Sequence, residues 1–219
     1  DIGADTVFQK GVIGWKVVNP QYGHTSLVGK PLYGLPNLVV NEAGDRFINE
    51  ALDYPFIYEG MEVDGGKLFY FIFDSDVSDT VQVEATTNTL EALEAAVEAG
   101  VAFKADTLEE LQEVSGLRHL VHSVETYNEY AVNGNDEYGR AADTMKEIKV
   151  GPFYAIQSQQ ATLGTFGGIK TQINGEVLDE SGEAIPGLYA AGEVANGDFF
   201  GYYYPASGSS ITMSVVFGR

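Results

Sequence analysis

The chain has 219 residues, 44% of them hydrophobic, which is enough to bury the core of one large domain or two small ones. Twelve lysines and arginines against 32 aspartates and glutamates leave a formal charge of −20, and such a surface repels phosphate backbones and anionic lipid. Cysteine is absent, the three histidines are scattered, and no run is apolar enough to cross a bilayer. We therefore expect no nucleic-acid partner, no metal site and no membrane span in this segment.

The N-terminal third predicts strands and turns. Short apolar pieces at residues 12–13 and 38–40 are separated by asparagine, proline and glycine. The run 67–73 is aromatic and β-branched, which predicts a buried strand.

The middle of the chain predicts helices. Residues 90–99 carry apolar side chains at helical spacing and end before Gly100. A capping-box pattern, Thr107-Leu-Glu-Glu110, opens a second helix that ends near Gly116. A third helix is expected over 120–132, followed by a polar loop.

From residue 152 onward the pattern returns to strands, expected at 153–156, 168–173, 176–178 and 188–191. Strands interleaved with helices predict an α+β or an α/β organisation, of which we take α+β as the fold class.

The C-terminal 35 residues carry the densest chemical signal. The segment 185–193 is a turn and a strand of small residues ending in Gly192-Glu193, and small residues let a bulky ligand approach the backbone. A carboxylate at this point can accept hydrogen bonds from ribose or ribityl hydroxyls. The segment 205–211, Pro-Ala-Ser-Gly-Ser-Ser-Ile, leads into a helix N-terminus that presents N–H groups to an electron-rich ligand.

Together these segments resemble the fumarate reductase/succinate dehydrogenase flavoprotein superfamily. Residues 187–194, Gly-Leu-Tyr-Ala-Ala-Gly-Glu-Val, resemble its second FAD-contacting segment, and residues 41–50 are similar to its Gly-x-Arg-Phe-Val-Asn-Glu signature. Residues 106–111 and 123–128 resemble its capping domain, and 165–168 resemble its strand beneath the flavin.

The resemblance implies FAD as cofactor and an α+β capping domain beside an incomplete, strand-rich part of an α/β FAD-binding domain. Residues 1–14 would be a remnant of the FAD-binding domain, 15–155 the capping and substrate domain, and 156–219 the C-terminal part of the FAD-binding domain. The implied FAD contacts are Gly167, Gly168, Gly192, Glu193, Ser209, Ser210 and Ile211. The family's Gly-x-Gly-x-x-Gly unit is expected ahead of Asp1, so we expect a fragment that does not hold FAD by itself.

The branch of the family is indicated by three substitutions. Fumarate reductases of this family have two arginines and a histidine at positions that here hold Tyr54, Pro205 and Gly164, respectively. A dicarboxylate then lacks its bidentate partners, and the reaction lacks its proton donor. The 3-ketosteroid dehydrogenase branch instead has a tyrosine at the position of Tyr54 and a Tyr-Pro-x-x-Gly loop, which is similar to Tyr204-Pro-Ala-Ser-Gly208.

The resemblance implies catalytic roles for Tyr54, Tyr204 and Gly208. Tyr54 would move a proton at the carbon opposite the one that exchanges hydride, while the Tyr204 hydroxyl and Gly208 N–H would polarise a carbonyl. The substrate would be a small apolar carbonyl compound, an enone or a 3-oxosteroid-like molecule, and the redox partner would set the direction. Because Tyr202, Tyr203 and Tyr204 are consecutive, a shift of one residue in the alignment exchanges their roles.

Three alternatives remain at the level of sequence. The tyrosines can be ordinary core or interface residues with satisfied hydroxyls. The parent can be a fumarate reductase-like reductase of an unsaturated carboxylate. The chain can also be a non-catalytic cap that binds an aromatic ligand or serves only structure.

Overall fold

The computed structural model describes residues 2–13, 37–52, 54–76, 90–160, 164–201, 205–206 and 208–218. The strands are β1 (Thr6–Ile13), β2 (Leu38–Val40), β3 (Phe69–Asp74), β4 (Ala102–Ala105), β5 (Phe153–Ser158), β6 (Gly164–Ile169), β7 (Glu176–Leu178) and β8 (Ala184–Tyr189). The helices are α1 (Tyr54–Asp64), α2 (Leu90–Glu98), α3 (Leu108–Ser115), α4 (Leu120–Asn133), α5 (Gly197–Phe200) and α6 (Ser209–Phe217). None of the helices in these described ranges is long and apolar enough to cross a membrane.

The chain divides into two compact units. Unit 1 comprises Asp1–Gly14, Asp53–Tyr58 and Thr162–Arg219, and unit 2 comprises Trp15–Leu52 and Glu59–Ala161. The domain limits expected from sequence, 1–14, 15–155 and 156–219, stay a prediction.

Unit 2 is built on a four-stranded antiparallel sheet in the order β2-β3-β5-β4. The central strand β3 is buried along its whole length, as its aromatic and β-branched composition predicts. Its partner β5 runs in a register that sets Phe71 opposite Ile156.

Helices α3 and α4 cover one face of this sheet, because their apolar stripes meet the alternate side chains of the strands. The core on that face is formed by Leu38, Val40, Tyr70, Ile72, Leu111, Leu117, Leu120, Val124, Tyr127, Ile148, Phe153 and Ala155.

The helix boundaries in unit 2 confirm the local signals of the sequence. Thr107 caps α3, its hydroxyl accepting from the Glu110 N–H at 3.2 Å, while the Glu110 carboxylate accepts from the Thr107 N–H. The residues after α3 and α4, Gly116 and Gly134, have φ near +74° and +73°, the left-handed conformation that ends helices.

Unit 1 contains the antiparallel pair β1–β6, the hairpin β7–β8 and the helices α5 and α6. Backbone hydrogen bonds connect the N-terminal and C-terminal segments of this unit; for example, the Asp5 N–H donates to the Leu178 carbonyl at 2.8 Å.

Three sequence expectations differ from the structure. The strand expected at 188–191 is displaced, because β8 pairs with β7 over Ala184–Tyr189 and ends there. The strand expected at 168–173 is wrong in position, because β6 ends at Ile169 and a turn closes between Gln172 and Gly175. Helix α1 was not expected, since it has a proline at its second residue and a glycine inside it. Proline is tolerated in the first helical turn, where its missing N–H has no intrahelical partner. The mixture of helices and antiparallel sheets confirms the α+β class.

Candidate functional site

The small-residue segment after β8 passes close to helix α6. Gly192 has φ of +84°, and a Cβ added there would lie 2.9 Å from the Ser214 hydroxyl oxygen. Glycine at this position therefore serves both the left-handed turn and the close approach of the chain to α6.

Glu193, the next residue, places its carboxylate against the start of β6. Oε1 accepts hydrogen bonds from the Thr165 N–H at 3.0 Å and from the Thr165 hydroxyl at 3.3 Å. A Cβ added at Gly164 would lie 3.0 Å from Oε2, so the carboxylate fills the space beside that glycine. The Glu193 side chain is exposed, and among the described residues Oε2 has no hydrogen-bond partner.

Gly167 and Gly168, expected to lie near the flavin, pack tightly against the backbone of the following loop. Both have positive φ, and a Cβ added at Gly168 would lie 2.0 Å from the Val194 carbonyl oxygen. The Ile169 N–H donates to the same carbonyl at 2.7 Å. This approach of two backbones requires glycine at 168 whether or not a ligand is present, and the flavin contact of both glycines stays a prediction.

Asn196 was missed by the sequence reasoning. It is fully buried, and its side-chain amide joins the loop to β6: Oδ1 accepts from the Gly167 N–H at 3.0 Å and Nδ2 donates to the Thr165 carbonyl at 2.6 Å. The only local signal is the Asn196-Gly197 pair, which indicates a turn but not the residues that the amide binds.

Helix α6 begins with three of the expected cofactor contacts, Ser209, Ser210 and Ile211. Its N-cap is Gly208, with φ of +89°, and no described side chain caps the helix. Ile211 is 72% exposed and Val215, one turn later, is 68% exposed. The N-terminal end of α6 thus combines a positive dipole end with an exposed apolar surface, a combination that suits a flat ligand rich in acceptor atoms.

The expected catalytic residues are described only in part. Tyr54 is the first residue of α1, and its side chain lies outside the described part of the structure. Tyr204, like Tyr202 and Tyr203, lies outside the described residues, and Gly208 is the N-cap of α6.

The two phenylalanines that precede these tyrosines pack within unit 1. The Phe199 ring lies 4.8 Å from that of Phe217, and the Phe200 ring meets that of Phe166 edge-on at 6.4 Å. Phe199 remains 41% exposed, so one aromatic face is available beside the small-residue segment.

Unit 2 contains a buried ionic network. The Glu50 carboxylate accepts from Arg46 Nε at 2.9 Å, from Arg140 at 2.8 Å and from the Val39 N–H at 3.2 Å. Arg46 also pairs with Asp136, and its guanidinium lies over the rings of two tyrosines.

The positive charge of Arg46 is stabilised by its partners in this network. Burial alone lowers the pKa of the Arg46 guanidinium, but hydrogen bonds to Glu50 and Asp136 and their negative charges outweigh it and raise the pKa above its ordinary value. Arg140 donates to the carbonyls of Asn37 and Thr144, both at 2.7 Å. Both arginines are occupied inside unit 2.

Two features of unit 1 are of kinds that bind electron-rich ligands. One is the Glu193 carboxylate, which follows a segment of small residues, and the other is the N-terminus of α6, which no described side chain caps. The chain matches the family described as FAD binding domain over residues 15–211, and it belongs to that family.

Known proteins of the family are similar along most of the chain. The vinyl phenol reductase of Lactiplantibacillus plantarum is 33% identical over 194 residues, which cover 78% of this chain and 39% of that protein. The 3-oxosteroid 1-dehydrogenase of Mycolicibacterium smegmatis is 33% identical over 225 residues, which cover 88% and 39%. The crystal structure of 3-ketosteroid delta1-dehydrogenase from Sterolibacterium denitrificans with 1,4-androstadiene-3,17-dione has a TM-score of 0.74 and 27% identity, covering 100% of this chain and 43% of that one.

The chain thus spans about two fifths of the length of these relatives. The comparisons confirm the expected superfamily and FAD as the cofactor of the family.

Proposed function

We propose that this chain is part of an FAD-dependent oxidoreductase that exchanges hydride between flavin and a carbon–carbon bond next to a carbonyl. The substrate is a small apolar molecule, an enone or a 3-oxosteroid-like compound. The observation that carries this choice is that two arginines of unit 2, Arg46 and Arg140, are buried and paired. Arg46 and Arg140 are 9% and 4% exposed, and both are paired with carboxylates of their own unit.

The described part of unit 1 supports the same choice. Lys170 is the one lysine or arginine whose side chain is described there, and it pairs with Asp5 at 3.3 Å. At position 164, where fumarate reductases of this family have a histidine, any side chain would meet the Glu193 carboxylate. A doubly charged substrate would lack strong partners at these places.

The residues present fit the cofactor. Glu193 would accept a hydrogen bond from a ribityl hydroxyl, and the N-terminus of α6 at Ser209 and Ser210 would face an electron-rich ring edge. Bound FAD supplies the hydride chemistry that no amino-acid side chain can provide.

The chain's own residues would handle the substrate. The Gly208 N–H lies at the start of α6, where the helix dipole strengthens its donation to a carbonyl oxygen, and the Tyr204 hydroxyl would donate to the same oxygen. Polarising the carbonyl acidifies the adjacent carbon, and Tyr54 would move the proton at the bond that reacts. Unit 2 would act as the capping and substrate domain.

The test follows the visible flavin band of the whole FAD-bound protein under anaerobic conditions. Saturated 3-oxosteroids are expected to bleach the oxidised flavin, or enones to reoxidise the reduced flavin, whereas succinate and fumarate leave it unchanged. Tyr54→Phe should lower the rate by about 100-fold or more, the usual contribution of a general acid or base. Tyr130→Phe, on α4, is the matched control and should keep the rate.

Rapid reoxidation by fumarate would favour the alternative, a reductase of an unsaturated carboxylate. Because Arg46 and Arg140 are buried, the carboxylate would then need another cation, such as the exposed Arg118 or a residue whose side chain is not described. Binding of ketones and enones with no change in the flavin would favour a cap without catalysis.

A further inference from the structure

Glu193 lies in a closed set of hydrogen bonds with Thr165 and Asn196. The Asn196 N–H donates to the Glu193 carbonyl at 3.3 Å, and the Asn196 amide nitrogen donates to the Thr165 carbonyl at 2.6 Å. Thr165 closes the ring by donating its N–H and its hydroxyl to one oxygen, Oε1, of the Glu193 carboxylate.

This set fixes an exposed side chain that would otherwise be mobile. A glutamate loses rotamer entropy when it is immobilised, and a ligand that orders it on binding must offset that cost. Here the protein itself has already ordered the carboxylate: Oε1 accepts from Thr165, and within the described ranges Oε2 has no hydrogen-bond partner.

The space beside the carboxylate is matched to it. Gly164 leaves room for Oε2, since a Cβ at that position would lie 3.0 Å from Oε2 and 3.2 Å from the carboxylate carbon. The φ of Gly164 is not in the left-handed region, so its backbone conformation does not itself require glycine. The carboxylate in its present orientation leaves little room for a Cβ at this position.

We propose that Thr165, Asn196 and Gly164 are positioning residues that hold the Glu193 carboxylate in one orientation, so that Oε2 receives a polyol hydroxyl of the cofactor. They act through Glu193 and need not touch the cofactor themselves. This proposal rests on the assignment of Glu193 to the FAD site made above.

Two variants disturb the carboxylate by opposite means. Thr165→Val keeps the β-branched shape that suits a strand but removes the hydroxyl donor to Oε1. Gly164→Ala keeps both donors and pushes the carboxylate sideways by a few tenths of an ångström, which a flexible side chain can do at little cost to the fold. Thr165→Ser restores the hydroxyl, and Thr6→Val, at an exposed position on β1, is the matched control.

The measurement is FAD affinity of the whole protein, from the recovery of flavin fluorescence on dilution, together with the melting temperature of the apoprotein. We expect Thr165→Val and Gly164→Ala each to raise the FAD dissociation constant about fivefold, as loss of a partly exposed hydrogen bond to a charge does. Thr165→Ser and Thr6→Val should have the same FAD dissociation constant as the wild type, and all the apoproteins should have the same melting temperature.

Equal FAD affinities in all variants would overturn the proposal, and so would a loss of affinity that merely follows a lower apoprotein melting temperature. If only Gly164→Ala weakened FAD binding, Thr165 would not be a positioning residue. No substrate enters the measurement, so failure of the substrate assignment would show only in the flavin-band test. A wild-type protein that takes up no FAD would overturn both.

Discussion

Replacing Arg140 by methionine should destabilise unit 2 strongly. Methionine keeps an apolar stem of similar length in the buried site, so packing changes little. The guanidinium donates four hydrogen bonds, to the Asn37 carbonyl, to Glu50, and to the hydroxyl and carbonyl of Thr144, over 2.7 to 3.2 Å. All four are lost together.

The loss of stability in Arg140→Met depends on which partners the Glu50 carboxylate keeps. Removing one partner of a buried ion pair costs about 3 to 5 kcal/mol, because the other charge stays buried. Glu50 keeps Arg46 and the Val39 N–H, so we expect the lower end, about 3 kcal/mol.

The assay is native-state hydrogen exchange of the whole protein, read over peptides that cover residues 37–50. The Val39 amide is the direct probe, since it donates to the Glu50 carboxylate at 3.2 Å. A loss of about 3 kcal/mol corresponds to exchange roughly 150-fold faster through the opening of unit 2. Lys146→Met is the control, because the Lys146–Asp76 pair is about half exposed on both sides and should contribute under about 1 kcal/mol.

Equal small effects of Arg140→Met and Lys146→Met would refute the reasoning. A further check adds Glu50→Gln to Arg140→Met. The double variant removes the leftover carboxylate charge and leaves Arg46 with Asp136, so it should recover part of the stability lost in the single variant.

Three further predictions concern backbone packing, helix capping and alkaline pH. Gly168→Ala should cost about 3 kcal/mol or more in urea unfolding, since its Cβ would lie 2.0 Å from the Val194 carbonyl oxygen. Gly182→Ala, also at positive φ but in open space, should cost only about 1 to 2 kcal/mol. Thr107→Ala should lower the melting temperature through loss of about 1 kcal/mol of capping, and Thr107→Ser should not. Burial raises the pKa of the Tyr127 phenol in the folded state above its ordinary value of about 10. The protonated phenol therefore contributes its full stabilisation below about pH 10, and this contribution is lost as the pH rises further. Tyr127→Phe should therefore show a shallower loss of melting temperature between pH 9 and 11.5, and a parallel loss in both proteins would contradict this.

Much of unit 2 was predictable because its signals are local. The capping box at Thr107, the helix ends at Gly116 and Gly134, and the apolar strand 69–74 are each encoded within a few residues. Such patterns act through one helical turn or one strand, and tertiary contacts here agree with them.

The candidate site was predictable only in its outline. Small residues before Glu193 and the loop before α6 indicated a ligand, and the resemblance indicated which one. The sequence did not indicate that Thr165 holds the Glu193 carboxylate or that the Asn196 amide joins the same two segments, because these partners lie 28 and 31 residues apart. It also suggested a strand at 168–173, where a turn already follows Ile169.

By itself, the sequence determined the fold class, the flavoprotein family and the ends of the helices, since composition, motif order and capping residues act locally or by direct comparison. Only the tertiary structure decided which charges are free. Arg46 and Arg140 carry the same charge as any surface arginine, and nothing in the local sequence indicates that either is buried. Packing brought both guanidinium groups to Glu50, and that of Arg46 also to Asp136, across as many as 90 residues of sequence, so most of their N–H groups donate to partners inside unit 2.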